Sequence, residues 1–292
     1  MDSVLIVGCG DIGLRLAGLC SGTPVTGLVR SEPSAARLRA RRVLPKLLDL
    51  DAPFEPDDLA AANSQLYYLA PPPPHGDTDP RVQAVCAALR GPHRPRKVVY
   101  ISTTAVYGDC GGRWIDETAP LQPGTARGRR RLDAERHWLK WGESEGVPVV
   151  VLRVPGIYGP GRLPLERLRK GLPVLAAQES PFTNRIHADD LARVCLLAMQ
   201  RGRAGEAYNV ADGHPTSMSD YFNRIADILS LPRPPVVDRA TAERELSASM
   251  LSFLSESKRI LNTKMLNELG VRLQYVDLEQ GLAGLSQAGP FE

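Results

Sequence analysis

A chain of 292 residues with 43% hydrophobic and 24% charged residues has an ordinary globular composition and is long enough to bury a sizeable core. Its formal net charge of +3 is too mild to argue for nucleic acid, and no apolar run is long enough to span a membrane. The five cysteines (Cys9, Cys20, Cys86, Cys110 and Cys195) are scattered and lack C-x-x-C spacing, which points to a reducing, cytoplasmic compartment and no zinc site.

Residues 3–7 form a short apolar run with β-branched members, which leaves no room for a signal peptide. Gly8-Cys9-Gly10-Asp11-Ile12-Gly13 follows at once. Residues 14–19 then read as a helix, and 24–29 as a second strand with Arg30 at its end. Strand, G-x-G-x-x-G, helix, strand is the context that a dinucleotide fingerprint requires. Gly8 suits the tight turn, Gly10 the approach of a pyrophosphate, and Gly13 close packing of helix on strand. The helix N-terminus, at Asp11 and Ile12, offers free N–H groups to the phosphates. The alternative is a purely structural glycine turn. In the NAD version of the motif an acid near the second strand bonds the ribose 2′-hydroxyl. Here Arg30 and Ser31 stand in that place, and a guanidinium suits a 2′-phosphate. NADP is therefore favoured over NAD, against a merely solvated arginine.

Residues 33–41 read as a helix and 43–48 as a third strand, where Pro45 suits only an edge or a bulge. At its end, Asp49 and Leu50 are in place to reach the adenine end of a cofactor; a turn or cap serves equally. A fourth strand, 65–70, is stopped by four prolines, so that Ala70 and Pro71 open a loop on the cofactor side. A helix over 81–90 and a fifth strand over 97–101 follow. Ser102, Thr103 and Thr104 close that strand, and Ala105-Val106-Tyr107-Gly108 comes next. After a loop over 109–124, a long helix spans 127–145, with Leu132, Trp138, Leu139 and Trp141 as its apolar contacts. The sixth strand, 147–154, is nearly all apolar, as a strand buried on both faces should be.

Strands alternating with helices argue an α/β, doubly wound parallel sheet of the Rossmann type. Ligands then sit outside the carboxyl ends of the strands. Gly8–Gly13, Arg30, Ala70, Pro71, Ser102–Thr104 and Arg153-Val154-Pro155 all fall at such ends. Beyond Pro155 the regularity fails: a glycine- and proline-rich loop over 156–162, a helix over 163–170, a helix opened by 185–190 and running to about 201, a short strand over 207–211, a helix over 217–229, a linker over 231–235, and a mostly helical remainder. The histidines at 75, 93, 137, 187 and 214 show no metal-ligand spacing, there is no G-x-S-x-G elbow, and Asp189-Asp190 suits helix capping.

With Thr103 and the residues after it in view, the sequence resembles, over nearly its whole length, the extended short-chain dehydrogenase/reductases, also called NAD-dependent epimerase/dehydratases. The matching pieces are the glycine motif, Ser102–Gly108, Asp116-Glu117, Leu152-Arg153 through Tyr158-Gly159-Pro160-Gly161-Arg162, His187-Ala188-Asp189-Asp190-Leu191-Ala192, Tyr208-Asn209-Val210, and Ser257-Lys258-Arg259 with Asn262 and Leu269-Gly270. The resemblance implies a Rossmann domain (1–155 plus about 185–212) and a smaller C-terminal substrate lobe (about 156–184 plus 213–292). It implies hydride exchange with nicotinamide, assisted by a hydroxyl where Thr103 stands, and by analogy a homodimer. It names no substrate beyond a small molecule. The glycine motif departs slightly from the family's G-x-x-G-x-x-G. The family's Tyr-x-x-x-Lys pair is replaced: counting back from Glu135 puts Arg127 at the tyrosine and Arg131 at the lysine. Arginine does not deprotonate in a protein, although Arg131 can hold a cofactor ribose or phosphate. Tyr107, Tyr158 and His187 are the candidate substitute acids; Pro155 and Ser102 join the expected cofactor contacts. Three readings follow: an NADP-dependent oxidoreductase or epimerase with a substitute acid, a cofactor-binding sensor or interaction protein without hydride chemistry, and an anion or nucleic-acid patch at Arg127, Arg129, Arg130 and Arg131, for which a solvated face is the simpler account.

Overall fold

The computed structural model describes residues 3–283. Seven strands form one all-parallel sheet: β1 (Val4–Val7), β2 (Val25–Val29), β3 (Leu44–Leu47), β4 (Gln65–Tyr68), β5 (Lys97–Thr103), β6 (Val149–Val154) and β7 (Ala207–Asn209), in the order β7-β6-β5-β4-β1-β2-β3. The chain reverses direction between β1 and β4, which is the switch point of a doubly wound sheet and opens a crevice beyond the strand ends. Every residue of β1 and β6 is buried, because helices cover both faces. Pro45 lies in β3, the edge strand, where its missing N–H removes no ladder bond.

The main helices are α1 (Asp11–Leu19), α2 (Glu32–Ala40), α3 (Pro80–Ala88), α4 (Ala126–Glu145) and α5 (Ala188–Arg201). One core layer joins Ile6, Leu16, Leu38 and Val99 to Leu191, Val194 and Cys195 of α5; the other joins Leu5, Leu66 and Val98 to Val82, Val85, Trp138 and Trp141. In the second layer Trp138 meets Tyr68 and Trp141 edge-on, with centroids 5.4 Å apart in each pair. Trp141 also donates its indole N–H to the carbonyl of Leu89 at 3.0 Å.

Residues 156–282 contribute a separate apolar cluster, in which Tyr158, Leu168 and Val174 pack on Phe222, Ile225, Leu278 and Leu282. Two expectations are corrected here. Residues 156–158 are a strand, not loop, and pair in parallel with Arg185–His187, so the helix expected from 185 begins only at Ala188. The partners lie far apart in sequence and each spans one period of alternation, too little for a pattern to register. Similar two-residue ladders join Val174–Leu175 to Val236–Val237 and Trp114–Ile115 to Arg259–Ile260.

At the centre a charged pair is buried. Arg153 of β6 (5% exposed) donates Nη2 to Glu135 of α4 (1% exposed) at 3.0 Å. Ser102 of β5 donates its hydroxyl to the same carboxylate. Arg153 Nη1 reaches the Tyr107 oxygen at 2.9 Å, and Tyr107 donates onward to Asn209 of β7 at 2.8 Å. Glu135→Leu strands the Arg153 charge in the core and is expected to lower stability by about 3–5 kcal/mol. The urea midpoint measures it, and adding Arg153→Met to that variant should recover most of the loss. A single variant with an unchanged midpoint would remove the pair from the account of stability.

Candidate active site

The glycine turn is built by local crowding. Gly8 holds a φ of +79°, and a β-carbon there would come within 2.5 Å of the Ala70 backbone, so β1 and β4 can close up only over glycine. Gly13 is tight in another way, since its β-carbon would meet the Cys9 sulfur at 3.0 Å and Ile6 at 3.1 Å. Gly10 differs from both: nothing lies within 4 Å of its β-carbon position. The first ladder donor of α1 is Leu14, bonded to the Gly10 carbonyl at 2.9 Å, and no side chain caps the helix. The N–H groups of Asp11, Ile12 and Gly13 thus point outward beside an open face, the arrangement that binds phosphate. The Asp11 carboxylate, which would repel an anion, is held by Arg15 (3.0 Å) and Arg162 (2.6 Å). Arg30, just beyond β2, is exposed and makes no hydrogen bond to the described residues. Asp49 accepts the N–H of Asp51 in a turn, and Leu50 packs against the second core layer. Asp51 is bound by Arg81 at 2.5 Å.

Beside this turn lies a cavity of about 750 Å³ at the ends of β5 and β6. Ser102, Thr103, Pro71 and Pro155 line it, with Phe182, Tyr221, Met250 and Phe253 on the far wall. Thr103 is half-buried; its oxygen accepts the N–H of Ala105 at 3.3 Å, which leaves its own proton free to donate. Ser102 spends its proton on Glu135. Arg131 fixes the wall between cavity and glycine turn, where its Nη1 reaches the carbonyls of Ala70 (3.4 Å) and Ile101 (3.0 Å) and the Tyr100 hydroxyl (3.3 Å).

The three candidate acids differ in their surroundings. Tyr107 sits in the buried Arg153 network and is absent from the cavity wall; burial pushes its phenol up to about 12. Tyr158 lines the cavity, but it is fully buried, donates its proton to the Asp277 carbonyl at 2.9 Å, and has a pKa raised by burial. His187 caps α5 by accepting the N–H of Asp189 at 3.2 Å. Its ring packs between Tyr158 and Tyr275, and burial lowers its pKa. Residue type and loop position suggest all three, and tertiary packing engages the two phenol oxygens and the Nδ1 of His187.

The cavity wall is rich in cations, three of them from the arginine run at the start of α4. Arg127, Arg130, Arg131, Arg162, Arg185 and Lys258 all line it, against a single acid, Glu256, which Lys258 binds at 2.7 Å. Arg185 is buried and has no ion pair among the described residues. Threonines 183 and 216 accept its N–H groups at 2.7 and 2.8 Å, and its head lies 3.8 Å above the Tyr221 ring. Burial lowers its pKa to about 10. Neither Arg185 nor Lys258 was singled out in sequence as a cavity cation, because the elements that deliver them are two- and three-residue ladders. Among the described residues no group of three or more His, Cys, Asp or Glu can hold a metal, and no helix is long and apolar enough to cross a membrane.

The NAD dependent epimerase/dehydratase family model matches residues 81–211. Protein YeeZ of Escherichia coli (strain K12) is 30% identical over 287 residues, covering 95% of this chain and 97% of that protein. A solved structure of a functionally unknown conserved protein from Silicibacter pomeroyi DSS is 34% identical, with a TM-score of 0.83 over 98% of each chain. The UDP-glucuronic acid 4-epimerase of Bacillus cereus, solved with NAD, has a TM-score of 0.77 over 97% of this chain and 96% of that one; at 18% identity the likeness is one of fold.

The contrast between Gly8 and Gly10 makes a test. Gly10→Ala meets open space and is expected to change stability by about 1 kcal/mol or less, while weakening NADPH and NADH binding at least tenfold. Gly8→Ala should unfold at a clearly lower temperature. Undiminished binding by Gly10→Ala would remove the pyrophosphate from this turn.

Proposed function

This chain belongs to the NAD-dependent epimerase/dehydratase family, and we propose that it is an NADP-dependent oxidoreductase or epimerase whose small-molecule substrate occupies the cavity beside the glycine turn. The observation that carries the reading is the junction of the two sites. Arg131 lines the cavity and bonds the Ala70 carbonyl, and Ala70 is the residue against which Gly8 is packed. On the other side Arg162 lines the cavity and holds Asp11 of the turn.

The residues present fit a nicotinamide dinucleotide. The open face at Gly10 and the N–H groups of Asp11, Ile12 and Gly13 suit its pyrophosphate, and the exposed Arg30 suits a 2′-phosphate. Asp49, Leu50, Ala70, Pro71, Ser102 and Pro155 complete the expected contact set along the strand ends. When bound, nicotinamide supplies or receives the hydride. Thr103 holds the substrate's alcohol or carbonyl oxygen through its free hydroxyl proton. Arg127 stays charged and takes no proton. Beside Thr103 the lining also carries the phenols of Tyr158 and Tyr221 and the ion pair of Glu256 with Lys258.

A substrate of the class named for the Bacillus cereus epimerase, a nucleotide-linked sugar acid, would suit a cavity lined by six cations. A second reading, a cofactor-binding protein without hydride transfer, is favoured by the arginine at the tyrosine place and by the engaged polar atoms of Tyr107, Tyr158 and His187.

Two measurements decide. In a fluorescence titration, Arg30→Asp should weaken NADPH binding about tenfold or more while NADH binding changes little, because a charge-assisted contact contributes about 1.5–3 kcal/mol; equal losses would remove Arg30 from the 2′-phosphate. In a hydride-exchange assay on a panel of carbonyl compounds and nucleotide-linked sugars, Thr103→Val should lower turnover about 100-fold with cofactor affinity retained. Tight cofactor binding without turnover by the wild type would favour the second reading.

A further inference from the structure

We infer that the head of α4 is an oxyanion clamp, in which Arg127 and Arg130 hold a carboxylate or phosphate group at the reacting end of the substrate, beside Thr103. The inference rests on the cavity being the substrate site and names the chemistry that it selects.

The arginine run is sorted by the helical period. Residues three and four apart share a face, so Arg127, Arg130 and Arg131 turn to the cavity while Arg129 turns out to pair with Asp77 at 2.9 Å. Arg131 is spent on carbonyls. Arg127 makes no hydrogen bond to the described residues, and its Nε is buried without a partner. Its head lies 3.9 Å over the ring of Phe253, a contact that orients the guanidinium plane without neutralising it. Arg130 is 8% exposed; its Nη1 donates to the Gly76 carbonyl at 2.5 Å, and its Nε too is buried without a partner.

The remaining charge nearby does not resolve the repulsion. Glu256 already accepts from Lys258 at 2.7 Å and from Thr125 at 3.4 Å. Burial lowers the pKa of Arg127, Glu256 partly opposes that, and Arg130 and Arg131 push it lower still. Cations crowded into a partly buried wall without matching acids are unfavourable by themselves, and lysines there could shed protons where arginines cannot. A planar oxyanion supplies what the cluster lacks, since the guanidinium fork matches carboxylate and phosphate. Its location follows from Gly128, whose β-carbon would lie 2.7 Å from the Ala105 carbonyl. That contact seats the head of α4 against the segment that begins at Thr103.

The test uses the full chain without cofactor, titrated with inorganic phosphate and separately with acetate at ionic strength held constant with KCl. Calorimetry reads affinity and thermal unfolding reads stability. The wild type should bind at least one of the two probes and gain stability from it, and Arg127→Gln should bind that probe at least tenfold more weakly. Without anion, Arg127→Gln should unfold at the same temperature as the wild type or higher, because an uncompensated charge has gone. Arg127→Lys, which keeps the charge and loses the fork, should fall between. Preference for acetate assigns the clamp to a carboxylate, and preference for phosphate to a phosphate ester. The proposal is overturned if neither probe exceeds KCl, if Arg127→Gln binds both as the wild type does, or if Arg127→Gln unfolds at a lower temperature without anion. Failure of the cofactor reading would appear as absent NADPH and NADH binding, which these cofactor-free titrations do not depend on.

Discussion

The buried pair of Glu135 and Arg153 is the constraint to which the site is tied. Taking each ion out of water costs several kcal/mol, about as much as their attraction returns. What the pair secures is geometry. Ser102 on β5, Tyr107 after it, Asn209 on β7 and the backbone of Glu117 are bound into one network with Arg153 on β6 and Glu135 on α4. This network holds the carboxyl ends of β5 and β6 in register with the head of α4. Thr103, Pro155 and the arginines of α4 stand at those ends. A hydrophobic replacement of the pair would fill the space without fixing the angle at which three strands and a helix meet.

Two neighbouring regions favour negative charge by different means. At the glycine turn the donors are backbone N–H groups at the start of α1, available because Gly10 leaves their face open and because two guanidinium groups neutralise Asp11. In the cavity the donors are side chains, and burial strengthens their fields by excluding water. Arg162 and Arg131 belong to both regions, one through Asp11 and the other through Ala70. The mild net charge of the whole chain conceals this concentration.

The sequence was read well where structure is local. The first strand, the glycine turn, α1 and β2 follow one another within thirty residues, and the tight turn at Gly8 and the close packing at Gly13 are read from spacing. The α/β alternation up to β6 was equally legible, as were Pro45 on an edge and the tryptophans of α4 in the core. The surroundings of Tyr107, Tyr158 and His187 were not legible, because partners such as the Asp277 carbonyl on Tyr158 lie as much as 119 residues away. The reading failed for the ladder of 156–158 with 185–187, too short to carry a period.

The sequence by itself determined the doubly wound sheet and the glycine turn between β1 and α1, because periodicity, glycine geometry and motif order act over short stretches of chain. Only the tertiary structure decided which charges are solvated and which are buried. Arg129 and Arg130 are adjacent in sequence, yet one meets water and Asp77 and the other the cavity. Arg185, Glu135 and Arg153 look like surface charges until the strands and helices close around them. Burial depends on contacts between distant segments, and burial is what turns an ordinary cation into a site for an anion.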